Sequence, residues 1–289
     1  MEAQATPAAA PVTLSSPGGA GPGRAVRIVH LFPAVLVAAL TTGLVALADR
    51  DAPVALYVQL GLGMLFYQFA IGVANDVMDT EADATAKPWK PIPSGLVSLR
   101  TARLLAAGFV AAGLIVTAGL DFVPWVIGIG GLACGLIYDG ALKRTAWSWL
   151  PWAIAFPLIP AWVYTAADAW EPLLWWAFPL GGSFAIALHF ANQSPDAAAD
   201  SSLGVRGLPQ RLGARRSARL SLALFGLAAS GAAVVLLFEA PQRAGFVAAA
   251  GTIALLLAPR AALFFGRDGL FGLLSASAAI VSIFFLSAV

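Results

Sequence analysis

The sequence predicts an all-α integral membrane protein, a bundle of nine transmembrane helices enclosing a central apolar cavity. Three observations carry this reading. Of 289 residues, 60% are hydrophobic and only 11% are charged, whereas a soluble domain averages about 25% charged residues. Nine apolar stretches are each long enough to cross a bilayer, which takes roughly 17–25 residues. The basic residues between those stretches fall almost wholly on one side.

Taken in order, residues 1–23 are rich in Ala, Pro, Gly and Ser and lack the basic start and apolar core of a signal peptide. They are expected to be a disordered tail ahead of one nine-helix domain over 24–289. The spans follow at about 26–47, 54–75, 102–120, 122–138, 149–166, 172–192, 217–238, 243–263 and 269–288. The fifth carries Pro151, Pro157 and Pro160, which membrane helices tolerate where neighbours re-satisfy the freed carbonyls. Gly61, Gly63, Gly128, Gly130, Gly181 and Gly182 suit close helix packing. The single cysteine, Cys134, rules out an internal disulfide and a cysteine-based zinc site.

With nine spans, fifteen of the seventeen Lys and Arg residues share the side of the N-terminus, and only Arg50 and Arg243 fall on the other. The positive-inside rule makes the richer side cytoplasmic and sets the C-terminus opposite, in a multi-pass protein of the cell membrane. No nucleic-acid partner is expected, and the lipid bilayer is the obvious one.

Two acidic strings lie at span ends on that cytoplasmic side. The first is Asn75-Asp76-Val-Met-Asp79-Thr-Glu81-Ala-Asp83. Read as one helix, it places Asn75, Asp79 and Asp83 on one stripe, with Asp76 about 100° round. Oxygen donors crowded at a helix end repel unless a cation lies between them. An all-oxygen set selects a hard metal such as Mg²⁺, which takes one or two carboxylates, waters and substrate phosphates. The second string closes the sixth span, with His189, Asn192, Asp196 and Asp200 at helical spacing. Either string alone reads equally well as a solvated acidic loop. Together, on one side, they are expected to share Mg²⁺ and a diphosphate, with Asp76, Asp79, Asp196 and Asp200 as the catalytic carboxylates and Asn75, Asp83 and Asn192 as further ligands.

Basic residues stand beside both strings: Lys87 and Lys90 in a proline-rich loop, Lys143 and Arg144 after the fourth span, and Arg206 after the second string. They are candidates for holding a diphosphate, whose negative charge grows as it leaves, or topogenic charges near headgroups. Gln68 faces a cavity or makes an interhelical hydrogen bond. His189 is a bundle-interior residue or part of the site. Tyr138, Trp152 and Phe190 could stabilise a cation through their ring faces, while Trp147 and Trp149 also fit an interfacial belt.

These residues resemble the UbiA-type intramembrane prenyltransferase superfamily. The first motif is matched by Asn75, Asp76, Asp79 and Asp83, and its trailing basic-Pro-Ser-Gly element by Lys90, Pro91, Ser94 and Gly95. The second Asp-x-x-x-Asp is matched by Asp196 and Asp200, followed by Gly204 and a Leu-Pro-x-x-Leu-Gly run ending at Gly213. Members often carry Tyr-x-x-x-Lys after the fourth helix; here Asp139 stands four before Lys143 and Tyr138 is displaced by one. The resemblance implies two or more Mg²⁺ ions binding a prenyl diphosphate whose chain lies in a lipid-open tunnel. Loss of diphosphate leaves an allylic cation that a hydrophobic or aromatic acceptor captures. Some relatives resemble terpene cyclases, in which the chain captures its own cation. A transporter reading is weaker, because transporters keep such acids near mid-membrane.

Overall fold

The computed structural model describes residues 25–197 and 206–289, with only the backbone of Phe264, Phe265 and Arg267. The expected tail and Asp200 lie outside the described residues. Among the described residues every regular element is helical. We number the α-helices α1 Leu31–Ala48, α2 Val54–Met78, α3 Thr80–Ala86, α4 Leu99–Thr117, α5 Phe122–Ile137, α6 Leu150–Ala166, α7 Ala177–Gln193, α8 Leu208–Leu212, α9 Ala214–Glu239, α10 Pro241–Leu257, α11 Ala261–Phe265 and α12 Gly269–Leu286.

Eight helical segments are long and apolar enough to cross a membrane, and they coincide with eight of the nine expected spans. The fifth is the exception. Helix α6 has only 17 residues, with Pro151 in its first turn and Pro157 and Pro160 inside it. It is nonetheless central: Trp162, Val163 and Tyr164 are among the most buried side chains. Tyr67 of α2 stacks on Trp162 at 5.9 Å between ring centroids, and the Tyr164 hydroxyl donates to the Leu286 carbonyl of α12 at 2.9 Å. Such interhelical hydrogen bonds join segments that share no hydrophobic driving force in lipid.

Glycine sets the closest approaches. A Cβ on Gly63 would lie 2.4 Å from the Thr117 methyl, and one on Gly113 would lie 2.5 Å from the Tyr67 ring. Helices α2 and α4 therefore pack at nearly backbone distance, and the Tyr67 hydroxyl meets Thr117 Oγ1 at 3.0 Å across that seam.

The helix ends sort into two poles. One gathers Val26–His30, the end of α2, the loop after α3, the segment 143–149, the end of α7 and the start of α8. At the other, Glu171, Trp176, Glu239 and Val289 line a concavity of about 320 Å³. The first acidic string and the described part of the second, to Asp196, lie at the first pole and the C-terminal residue at the second.

Candidate active site

The first motif is not one stripe. Helix α2 ends at Met78 and Asp79 caps both it and the short α3, while the i→i+4 pattern continues through Asp79 N–H to Asn75 O at 2.9 Å and Asp83 N–H to Asp79 O at 2.8 Å. At about 100° per residue, Asp83 falls about 80° from Asn75 but only about 20° from Asp76. The four side chains accordingly divide into two pairs. Lys90 Nζ lies 2.8 Å from Asp76 Oδ1 and 2.5 Å from Asp83 Oδ2. Lys143 Nζ lies 2.7 Å from Asn75 Oδ1 and 2.5 Å from Asp79 Oδ2, and Arg144 reaches the other Asp79 oxygen at 3.3 Å.

Each lysine is delivered by a shaped segment. The Lys90 loop is pinned by Ile92 and Val97, buried in a small apolar cluster with Ile28, Val73 and Ala102, and it turns at Gly95, whose φ of 75° favours glycine. Burial by itself would pull the Lys90 ammonium down, but its hydrogen bonds and attraction to Asp76 and Asp83 outweigh that and raise its pKa above the ordinary lysine value. Lys143 follows a π-helical turn, Tyr138–Leu142, closed by Lys143 N–H to Tyr138 O at 2.7 Å. Such a turn bonds residues five apart instead of four. The one-residue displacement of Tyr138 in the sequence is thus absorbed by one extra residue in the backbone turn.

The second acidic string meets this site through the segment 143–149. Ser148 Oγ accepts from the Leu208 N–H at 3.3 Å and meets His189 Nε2 at 3.1 Å. A Cβ on Gly207 would lie 3.0 Å from the Lys143 carbonyl, and Gln210 Nε2 donates to Gln193 Oε1 at 3.1 Å. Segments on both sides of Asp196 are therefore tied to the segment that carries Lys143. Asn192 and Asp196 are half-buried at the end of α7.

Beneath lies an aromatic group. Tyr138 stands edge-on to Trp152 at 6.1 Å and to His189 at 6.0 Å, and Phe190 packs on His189 at 5.9 Å. His189 is 1% exposed and its Nδ1 has no hydrogen-bond partner. Asp139 also keeps one buried oxygen, Oδ2, without a partner.

Other expectations fare differently. Lys87 and Arg206 are exposed and make no ion pair with the first motif among the described residues. The Gln68 amide contacts Met64 Sδ one turn back at 3.5 Å, so its hydrogen bond lies within α2. Trp147 is 59% exposed and touches Trp149, as belt residues do. The sequence reading passed over His30, whose Nε2 lies 3.2 Å from Asp76 Oδ1. Its signal was a lone imidazole just inside an apolar span, on the side that carries the acidic motif.

The donor chemistry suits a hard divalent ion, since Asn75, Asp76, Asp79 and Asp83 offer only oxygen. Two ammonium groups already lie between these oxygens, so the site draws positive charge. Among the described residues no three His, Cys, Asp or Glu side chains cluster tightly enough to hold a metal alone.

Residues 33–287 match the model of the UbiA prenyltransferase family. The chain belongs to the UbiA prenyltransferase family. Relatives include the digeranylgeranylglyceryl phosphate synthase of Metallosphaera sedula, 41% identical over 71 residues, a quarter of each chain. The bacteriochlorophyll synthase 34 kDa chain of Chloroflexus aurantiacus is 30% identical over 211 residues, 64% of this chain and 60% of its own. The matches thus span a quarter to about three-fifths of these relatives' length. A UbiA homolog from Archaeoglobus fulgidus bound to GPP and Mg²⁺ has the same fold, with a TM-score of 0.72 at 17% identity over 92% of this chain and 98% of that one. For this family member, the all-helical bundle is the fold expected.

Proposed function

We propose that the protein is a Mg²⁺-dependent intramembrane prenyltransferase, which moves a prenyl group from a prenyl diphosphate to a hydrophobic or aromatic acceptor at the cytoplasmic side. The observation that carries this reading is the pair of lysine clamps. Lys90 and Lys143 each bridge two oxygen side chains of the Asn75–Asp83 motif, a charge arrangement ready to be exchanged for a cation-bound diphosphate. The Archaeoglobus fulgidus homolog bound to GPP and Mg²⁺ supports the same ligand class.

Asn75, Asp76, Asp79 and Asp83, with Asn192, Asp196 and Asp200, would hold the magnesium. Bound there, the ion neutralises diphosphate oxygens and makes them a better leaving group. The chain's own residues do the rest. Lys90, Lys143 and Arg144, with Lys87 and Arg206 at the rim, supply fixed positive charge where the diphosphate gathers negative charge. The C–O bond to the prenyl carbon breaks and its electron pair leaves with the diphosphate. Tyr138, Trp152 and Phe190 present ring faces or edges to the allylic cation. The acceptor carbon supplies the electron pair for the new bond and releases its proton. The prenyl chain would lie in an apolar tunnel open to lipid, and the loop bearing Lys90 would keep water from quenching the cation.

Purified protein incubated with Mg²⁺ and a panel of prenyl diphosphates, each with and without candidate aromatic or lipid acceptors, tests the reading by mass spectrometry. Prenylated acceptor, formed only when both substrates are present, is expected. A cyclic hydrocarbon or alcohol made from the diphosphate alone would mean cyclisation instead. No diphosphate release with any substrate would end the proposal.

A further inference from the structure

His30 is the joint between the 3-10 turn Val26–Val29 and α1. Its N–H closes the turn on Arg27 O at 3.2 Å, and its carbonyl accepts from Ala34 N–H at 3.2 Å to start the helix. Its own φ of 48° and ψ of 50° are left-handed, a region in which His, Asn and Asp are several-fold enriched among non-glycine residues. The ring packs against α2 at Gly72, where a Cβ would lie 3.1 Å from His30 Cδ2. One helical turn beyond Gly72 stands Asp76, and there Nε2 meets Oδ1 at 3.2 Å. A carboxylate only accepts, so Nε2 carries the proton.

Asp76 is 3% exposed, and its two oxygens are used differently. Oδ1 takes both His30 and Lys90, whereas Oδ2 accepts no hydrogen bond from the described residues. We propose that His30 is a positioning residue, which pins Oδ1 so that Oδ2 is the oxygen Asp76 presents to a divalent cation. The inference rests on the metal-site reading above. Lys90 cannot do this alone. Its ammonium is a point charge on a flexible four-carbon stem, and a diphosphate would compete for it. The imidazole, by contrast, is short, hangs from a left-handed backbone and lies with one edge on a bare glycine, its side chain 36% exposed. Groups that orient ligating carboxylates in this way typically change metal affinity by about 10–100-fold when removed.

The test uses full-length protein in detergent with Mn²⁺ as the probe, counting free Mn²⁺ by its EPR signal, with and without inorganic pyrophosphate. His30→Asn keeps a residue suited to the left-handed backbone but is too short to reach Asp76. His30→Gln suits that backbone less but can place an amide N–H near the Nε2 position. We expect His30→Asn to weaken Mn²⁺ binding about 10–100-fold, His30→Gln to restore most of it, and Gly72→Leu, which displaces the ring, to mimic His30→Asn. A purely structural His30 gives the opposite order, with Asn equal to or better than Gln, and overturns the inference. If His30→Asn binds Mn²⁺ like wild type while Asp76→Asn does not, the inference falls and the metal site stands. If Asp76→Asn also binds like wild type, the metal-site reading itself has failed. Thermal unfolding of each variant, run alongside, separates a lost ligand geometry from a lost fold.

Discussion

Lys90 and Lys143 stand in the site as counter-ions to the acids that would otherwise repel one another. Removing either lysine leaves a pair of oxygens short of positive charge, while removing an acid takes away a ligand. Asp76→Ala or Asp196→Ala should cut turnover by on the order of 10²-fold or more, with the helical circular dichroism unchanged; wild-type-like rates from either variant would refute the assigned roles. Lys90 also carries a pH signature. Because its folded pKa is raised above the ordinary lysine value, its contribution to stability is complete below about pH 10, the unfolded value, and is lost as pH climbs through the folded one. Lys90→Met should therefore be less stable than wild type, by on the order of 3 kcal/mol for a partner removed from a buried pair, and unfold at a lower temperature. The gap should be flat between pH 6 and 9 and close only in stronger alkali. Melting curves across that range decide it. The motif residues and their oxygen chemistry were legible in the sequence. His30 was not, because nothing local says that a left-handed turn will swing it onto a carboxylate 46 residues away.

At the scale of elements, the site is an assembly of helix ends and the loops that join them. The π-helical turn at Tyr138–Leu142 bonds residues five apart, which matches the five-residue step from Tyr138 to Lys143 where the family often has four. Deleting Gly140 should convert that turn towards α-helix and swing Lys143 off Asn75 and Asp79. We expect turnover to fall at least 10-fold with little loss of thermal stability, since the tyrosine–lysine register and not the core is changed; a simple activity assay with a melting curve checks both. The seam between α2 and α4 provides the complementary case. Gly113→Leu would drive a side chain into the Tyr67 ring, at a cost of about 1–3 kcal/mol for overpacking. It should lower the melting temperature in detergent and leave Mn²⁺ affinity of the folded fraction untouched. Helix α6 carries Pro157 and Pro160 and is short; yet its neighbours bury it, so the proline-bearing segment is held by packing.

For the whole molecule, the two poles carry the functional logic. The first acidic string and Asp196, more than a hundred residues apart, reach one pole because an even number of bundle helices, α4 to α7, lies between them. We propose that this pole faces the cytoplasm, because the sequence puts fifteen of its seventeen Lys and Arg residues on that side. In a Cys134→Ser background, a cysteine placed at Val289 should react with a membrane-impermeant maleimide in intact cells, and one placed at Thr145 only after the cells are opened. The reverse pattern would invert the orientation.

Apolar run length and charge sign are properties of the chain read one stretch at a time, so the sequence alone was enough to establish a helical membrane bundle and to mark its acidic motifs. Which lysine neutralises which acid, which carboxylate oxygen is left over, and how the segment 143–149 joins the two motif-bearing ends were decided only by tertiary structure. Those depend on the angle at which distant helices meet and on where a glycine lets them touch, and neither quantity exists until the helices have packed.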